Sequence, residues 1–238
     1  MEVRSLYLEP ERPRELSFGA LEFHDVFRIY RSEEAETVAL RGLDLRVERG
    51  EMVAIFGPSG SGKSTALHLA AGLDSPSAGD VVVGGRSLAR LDDDELARYR
   101  ARDVAFVFQS GNLWPALSAR ENVALALRLA GRTRKVRDTV DRALGMFGLA
   151  HREKQRAGSL SGGEQQRVAI AAAASREAPL VLADEPTAEL DAHNEQLVLG
   201  AFRRLRDELG TTVVIVTHSS RIAAAVDRVV EIRDGTRR

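Results

Sequence analysis

Gly57-Pro58-Ser59-Gly60-Ser61-Gly62-Lys63-Ser64-Thr65 decides how this chain is read. The stretch has the spacing G-x-x-x-x-G-K-[ST], a loop whose backbone N–H groups cradle phosphate. Gly57, Gly60 and Gly62 let the main chain pass close to an anion, and a helix starting near Lys63 adds its positive dipole end. Lys63 can reach the β- and γ-phosphates of a nucleoside triphosphate, and Ser64 can ligate Mg²⁺. The bland alternative is a glycine-rich turn with a solvated lysine. The run before it argues otherwise: Met52-Val53-Ala54-Ile55-Phe56 is short, apolar and β-branched, as a strand covered on both faces is. Strand, glycine loop and helix in succession is the context the motif requires.

Outward from the loop, Val104–Phe108, Leu180–Ala183, Val213–Thr217 and Val229–Ile232 have the same character and predict further strands of a parallel sheet. Ser64–Ala71 and Asn194–Leu209 read as helices between them. Upstream, Leu21–Val26 and Leu43–Val47 alternate apolar and polar, and Val81–Val83 precedes a Gly84-Gly85 turn. These predict a small antiparallel sheet. From Asn112 to Arg156 no strand candidate occurs, while Arg120–Ala130 and Val136–Phe147 have helical spacing. The expected class is α/β: a P-loop NTPase (RecA-like) core with an N-terminal antiparallel β-subdomain and a helical subdomain inserted at about residues 112–160. Met1–Gly19, charged and containing Pro10 and Pro13, reads as an arm outside the domain of residues 20–238.

Three further sites complete the chemistry. Leu180-Val181-Leu182-Ala183 runs into Asp184 and Glu185. Asp184 at the strand tip can hold the Mg²⁺ shell and Glu185 can polarise a water attacking the γ-phosphate. Alone, the two acids could equally be a solvated loop. Gln109 ends one buried strand and His218 follows another, on the side where open parallel sheets bind ligands. Leu160-Ser161-Gly162-Gly163-Glu164-Gln165-Gln166-Arg167 is a second anion loop at a helix start, without a ligand of its own. Its simplest use is to cap a nucleotide held by another copy of the chain.

Composition sets limits. The 34 Lys+Arg against 35 Asp+Glu give a net charge of −1, which argues against nucleic acid as the partner. Cysteine is absent, so disulfides and Cys-ligated metals are excluded, and the usage fits a reducing cytosol. Neither a signal peptide nor an apolar run of spanning length is found, so any membrane role is borrowed from a partner.

The P-loop, the Ala183-Asp184-Glu185 step, LSGGE, Gln109 and His218 stand in an order that resembles the ATP-binding cassette ATPases, from about Leu21 onward. The stretches VALRGLDLRVERGEMVAIFGPSGSGKST, FVFQSGNLWPALSARENV and LVLADEPT are similar to ATPase subunits of lipoprotein-releasing, macrolide-export and cell-division systems. The resemblance implies that ATP and Mg²⁺ are the cofactors. It makes Tyr30 the aromatic that stacks on adenine, and Pro58, Ser59, Ser61 and Thr65 part of the nucleotide loop. Ser64, Gln109 and Asp184 would serve the metal, Glu185 would be the catalytic base and His218 the switch histidine. Ser161, Gly162 and Gly163 would touch the γ-phosphate on the opposite subunit, and Asp191 would communicate across that dimer. The implied partners are a second copy and a transmembrane permease, at the cytoplasmic face of the membrane. The implied work is export or extraction of a lipophilic or peptide-like substrate, or mechanical signalling without transport. A nucleic-acid machine of this family would need a second cassette or a long coiled coil, and neither is in the sequence.

Three places depart from the family pattern. Ala172-Ala173-Ala174 stands where Arg-Ala-Leu is usual, Ala188-Glu189 where a small pair is usual, and Ser219 where Asp is common. They predict a slow ATPase in isolation. Trp114, the only tryptophan, is either an exposed anchor for the membrane partner or a residue packed inside the helical subdomain.

Overall fold

The computed structural model describes residues 19–31 and 36–237, so the expectation for the N-terminal arm lies outside the described residues except at Gly19. Along the chain, β1 (Leu21–Arg31) and β2 (Glu36–Val47) lead to β3 (Met52–Phe56), the P-loop and α1 (Lys63–Ala70). β4 (Ala78–Val83) and the short β5 (Arg86–Ser87) precede α2 (Asp93–Arg102) and β6 (Val104–Val107). Three helices follow, α3 (Ala119–Leu129), α4 (Val136–Met146) and α5 (Gly162–Ser175). The last segment holds β7 (Leu180–Asp184), α6 (Ala192–Leu209), β8 (Thr212–Thr217), α7 (Ser220–Ala223), β9 (Arg228–Arg233) and β10 (Thr236–Arg237).

The strands form two sheets. One is antiparallel in the order β2-β1-β4-β5; the other runs β10-β9-β3-β8-β7-β6, parallel from β9 to β6 with β10 antiparallel at the edge. The parallel strands are apolar throughout because both faces are covered. Val213 and Ile215 of β8 face a cluster with Val123, Leu144, Ile170 and Phe202 from α3, α4, α5 and α6. Val214 and Val216 face the other way, toward Leu67 and Leu69 of α1 and Leu40, Leu43 and Val47 of β2. Each such side chain, fully buried, contributes about 1.5–3 kcal/mol.

Two features differ from the sequence expectation. β1 extends well past Val26 to Arg31 and β2 begins at Glu36, well before Leu43, paired through register shifts that break the alternation. Asp25 has φ 47°, and a Cβ on Gly79 would stand 2.2 Å from its carbonyl oxygen, so the bulge needs glycine there. Helix α2 was not expected either. It opens on a capping box in which Asp92 accepts from the Glu95 N–H and Glu95 accepts from the Asp92 N–H. The same device starts α3 at Ser118 and Glu121. In the predicted helical segment the only extended pairing among the described residues is a single bridge, Ser118 to Arg156.

Candidate functional site

The carboxyl ends of four adjacent parallel strands carry the predicted residues. The P-loop follows β3, Asp184 ends β7, His218 follows β8 and Gln109 follows β6. In-register pairs such as Phe56 with Thr217 and Asp184 with Val216 bring these ends level.

In the P-loop, the buried Lys63 ammonium donates to the carbonyls of Gly57 (2.9 Å) and Pro58 (2.8 Å), which holds it across the loop mouth. Gly62 has φ 97°, and a Cβ there would lie 2.3 Å from the Ala39 carbonyl oxygen, so only glycine fits. The first helical bond of α1 is Ala66 N–H to Gly62 O, which leaves the N–H groups of Lys63, Ser64 and Thr65 for an anion. The Ser61 hydroxyl is buried and has no hydrogen-bond partner among the described residues. A buried hydroxyl, an ammonium and free helix N–H groups around one loop fit a phosphate chain.

Ser64 Oγ donates to Asp184 Oδ1 at 3.0 Å. Burial lifts the Asp184 carboxyl above the usual aspartate range, against the hydrogen bond from Ser64. A divalent cation at these two oxygens would reverse that lift. Among the described residues no three His, Cys, Asp or Glu side chains cluster as a metal cage. The donor set is instead one hydroxyl and one carboxylate, hard oxygens of the kind Mg²⁺ takes together with phosphate oxygens and water.

Glu185 turns out of β7 at φ 45°, fixed by its N–H to the Val216 carbonyl at 2.9 Å. The turn aims its carboxylate at His218, whose Nδ1 is 3.0 Å from Oε1. Backbone in this region is costly for a non-glycine residue and is tolerated where it serves a site.

LSGGE begins α5. Ser161 is the N-cap, accepting from the Glu164 N–H, while Glu164 accepts from the Ser161 N–H at 2.9 Å and is held by Arg152 at 2.8 Å. A Cβ on Gly163 would lie 2.3 Å from Asn194 Oδ1, so α5 and the start of α6 touch without slack. Asp191 caps α6, accepting from Asn194 N–H at 2.8 Å and Nδ2 at 3.0 Å; those bonds hold its carboxyl below the usual range.

The structure thus joins Ser64 with Asp184 and Glu185 with His218, beside Lys63. Among the described residues no hydrogen bond links Ser161, Gly162 or Gly163 to the P-loop of the same chain. Tyr30 stands half exposed on β1, its hydroxyl donating to Asp74 at 2.9 Å and its ring 4.5 Å from the Arg28 guanidinium. Gln109 contacts Glu189 (3.3 Å).

Trp114 is 67% exposed, which removes the alternative of a packed tryptophan; Asn122 accepts from its N–H at 2.8 Å and presents it. Ser219 donates to the buried Glu195, which also pairs with Arg221 at 3.0 Å. An aspartate at 219 would set a second carboxylate against Glu195, so the departure has a local reason. Ala172 packs against the apolar cluster beneath α5. One residue escaped sequence reasoning: Gln166 is buried, donates to the Phe108 and Gln109 carbonyls and accepts from Asn112 at 3.1 Å. Its place one helical turn before Ala169 and Ile170, on the helix that LSGGE starts, was the only signal.

Fold and site define a P-loop ATPase cassette. The sequence profile described as "ABC transporter" matches residues 40–188. A macrolide export ATP-binding/permease protein MacB from Rhodopseudomonas palustris is 47% identical over 87% of this chain and 32% of its own length. A lipoprotein-releasing system ATP-binding protein LolD from Geobacter metallireducens is 44% identical over 90% of this chain and 96% of its own. A solved dimeric ATP-binding cassette in a post-hydrolysis state bound to ADP and Pi superposes with a TM-score of 0.83 at 38% identity, covering 91% of this chain and 96% of that one. The chain belongs to the ABC transporter family, as an ATP-binding and ATP-hydrolysing subunit of the LolD and MacB type. It spans about a third of the MacB relative and nearly all of the LolD relative. Among the described residues no helix is long and apolar enough to cross a membrane.

Proposed function

We propose that two copies of this chain close head-to-tail around two ATP and that the closing motion drives a separate membrane permease. The observation that carries this reading is the clustering of Lys63, Ser64–Asp184 and Glu185–His218 at the carboxyl ends of adjacent strands, with the N-cap serine of LSGGE bonded, among the described residues, only within its own helix. A loop built for phosphate, but not used on its own chain's phosphate, suits a partner copy. The dimeric solved relative, bound to ADP and Pi, supports association of two copies.

Ser64, Asp184 and Gln109 are the residues that would hold Mg²⁺, which supplies charge neutralisation on the phosphoryl oxygens. Lys63 and the N–H groups at the start of α1 bind and orient the phosphates. Glu185 accepts the proton of the attacking water, and His218 holds the Glu185 carboxylate in place until then. Tyr30 stacks on adenine. Ser161, Gly162 and Gly163 exclude water from the far side of the γ-phosphate, and Asp191 stands at the same seam.

The permease is the partner suited to a relative of a MacB protein that joins ATP binding and permease, and it would place this chain at the cytoplasmic membrane face. Trp114, exposed beside Gln109, is the contact proposed for it. The cargo class proposed is lipophilic or peptide-like, moved by export or extraction. The experiment is size exclusion with light scattering on Glu185→Gln, with and without Mg-ATP. Conversion of monomer to dimer by ATP is expected; a variant that binds ATP yet stays monomeric would overturn the sandwich.

A further inference from the structure

We propose that Glu189, a departure from the family pattern, is a positioning residue that fixes which end of the Gln109 amide faces the nucleotide metal. Gln109 Nε2 donates to Glu189 Oε1 at 3.3 Å across a cleft of about 210 Å³ walled by Asn112, Gly162, Gln166 and Leu190. The inference rests on the proposal above that Gln109 helps hold Mg²⁺.

The backbone on both sides is already fixed. Asn112 accepts from the Phe108 N–H at 2.8 Å and donates to the Phe108 carbonyl at 2.7 Å, and the buried Gln166 amide donates to the Phe108 and Gln109 carbonyls. Opposite, the turn bearing Glu189 is closed by Ala188 N–H to Glu185 O (3.2 Å) and Leu190 N–H to Thr187 O (3.1 Å), and Asp191 caps the helix after it. What stays free is the rotation of one side-chain amide.

An amide has a donor end and an acceptor end of nearly the same shape, and an unpartnered one presents either. A carboxylate offers only acceptors, so the NH₂ end of Gln109 is the end that can face Glu189. The carbonyl oxygen is then the end left for a cation, and a cation takes oxygen and rejects NH₂. The small residues usual at position 189 have no such side chain. In this chain the donor end is engaged before any metal arrives, so less ordering remains when it binds.

The test is the Mg²⁺ concentration giving half-maximal binding of a fluorescent ATP analogue to the full chain at concentrations where it is monomeric. Glu189→Ala is expected to raise it by about two- to tenfold, the worth of one orienting hydrogen bond. Glu189→Lys, which donates and so captures the carbonyl end, is expected to raise it at least as far. Glu189→Gln, which can accept or donate, falls between wild type and Glu189→Ala. Binding of the analogue without Mg²⁺ stays unchanged in all three. In a Gln109→Ala background, Glu189→Ala is expected to add nothing. If Gln109→Ala leaves the Mg²⁺ requirement at the wild-type value, the metal role of Gln109 and the inference both fail. If Gln109→Ala raises the requirement and Glu189→Ala does not, Gln109 keeps its role and Glu189 loses the one proposed. A Glu189→Ala effect that persists in the Gln109→Ala background assigns the influence of Glu189 to its charge and also overturns the inference.

Discussion

His218 Nδ1 and Glu185 Oε1 are 3.0 Å apart, tying the residue after β8 to the residue after β7. The two strands are hydrogen-bonded neighbours, and the left-handed turn at Glu185 is what swings its carboxylate sideways to meet the ring. In the proposed mechanism one residue is the base and the other aims it. Glu185→Gln should therefore lower steady-state ATP hydrolysis by about two to four orders of magnitude, the span of general-base catalysis. His218→Ala should lower it by about two orders while nucleotide affinity is kept. Phosphate release and nucleotide binding, measured on the same preparations, separate the two effects. A His218→Ala enzyme with full turnover would remove the histidine from the mechanism.

Gly163 and Asn194 leave no room for a methyl group. A Cβ at 163 would come within 2.9 Å of Asn194 Cβ as well as its amide, so the side chain must leave Asp191. Gly163→Ala should weaken the α6 cap by about 0.5–2 kcal/mol and lower the melting temperature. Nucleotide binding to the monomer should be unaffected, because among the described residues neither Gly163 nor Asn194 is hydrogen-bonded to the P-loop. Differential scanning calorimetry and nucleotide titration check the pair of outcomes. Unchanged melting would mean α5 and α6 can slide apart freely.

Glu51 links the entry of β3 to β9. Burial pushes its carboxyl up, but hydrogen bonds from Arg228 (2.7 and 3.0 Å) and the Glu48 N–H (2.8 Å) outweigh burial and hold it below the usual glutamate range. A carboxyl lowered in the folded state stabilises above its unfolded value, about 4.3. That contribution fades as pH falls through the lower folded value. Glu51→Gln should thus cost stability near neutrality, about 1 kcal/mol or less after solvent screening, and progressively less below about pH 4. Urea unfolding of both proteins across that range tests the sign; a gap that widens in acid would contradict it.

Trp114 gives a single-tryptophan probe. At 67% exposed, its fluorescence should be quenched by acrylamide nearly as strongly as free tryptophan. Adding Mg-ATP to Glu185→Gln should leave that quenching unchanged if the surface is kept for the permease. Protection on ATP addition would move Trp114 into the seam between cassettes.

The legible parts of this molecule are those where one physical pressure dominates. β3, β7 and β8 were readable because strands covered on both faces must be apolar at every position, and Met52–Phe56 matches its predicted limits. The P-loop was readable because only glycine tolerates Gly62's backbone and its approach to Ala39. β1 faded past Val26 because the bulge at Asp25 breaks the period. Helix α2 carries few apolar residues, so its capping box was the signal and periodicity was not. Gln166 stayed hidden because its acceptors, the carbonyls of Phe108 and Gln109, come from a loop far earlier in the chain. The role of Glu189 was equally invisible, since its partner lies on a different strand end.

The sheet order has a kinetic consequence. β3, which carries the P-loop, is clasped between β8 and β9, and both are made long after it. Pairings this distant in sequence are slow to form, because the intervening chain must be ordered before they reward it. Until they form, the glycine loop has only β2 beside it: the Ile232 carbonyl on β9 packs beside Gly57, and the Gly235 N–H donates to the Ser61 carbonyl at 3.1 Å. A half-made or partly unfolded chain would therefore hold nucleotide less firmly. ATP would then bind best to chains whose last strands are in place.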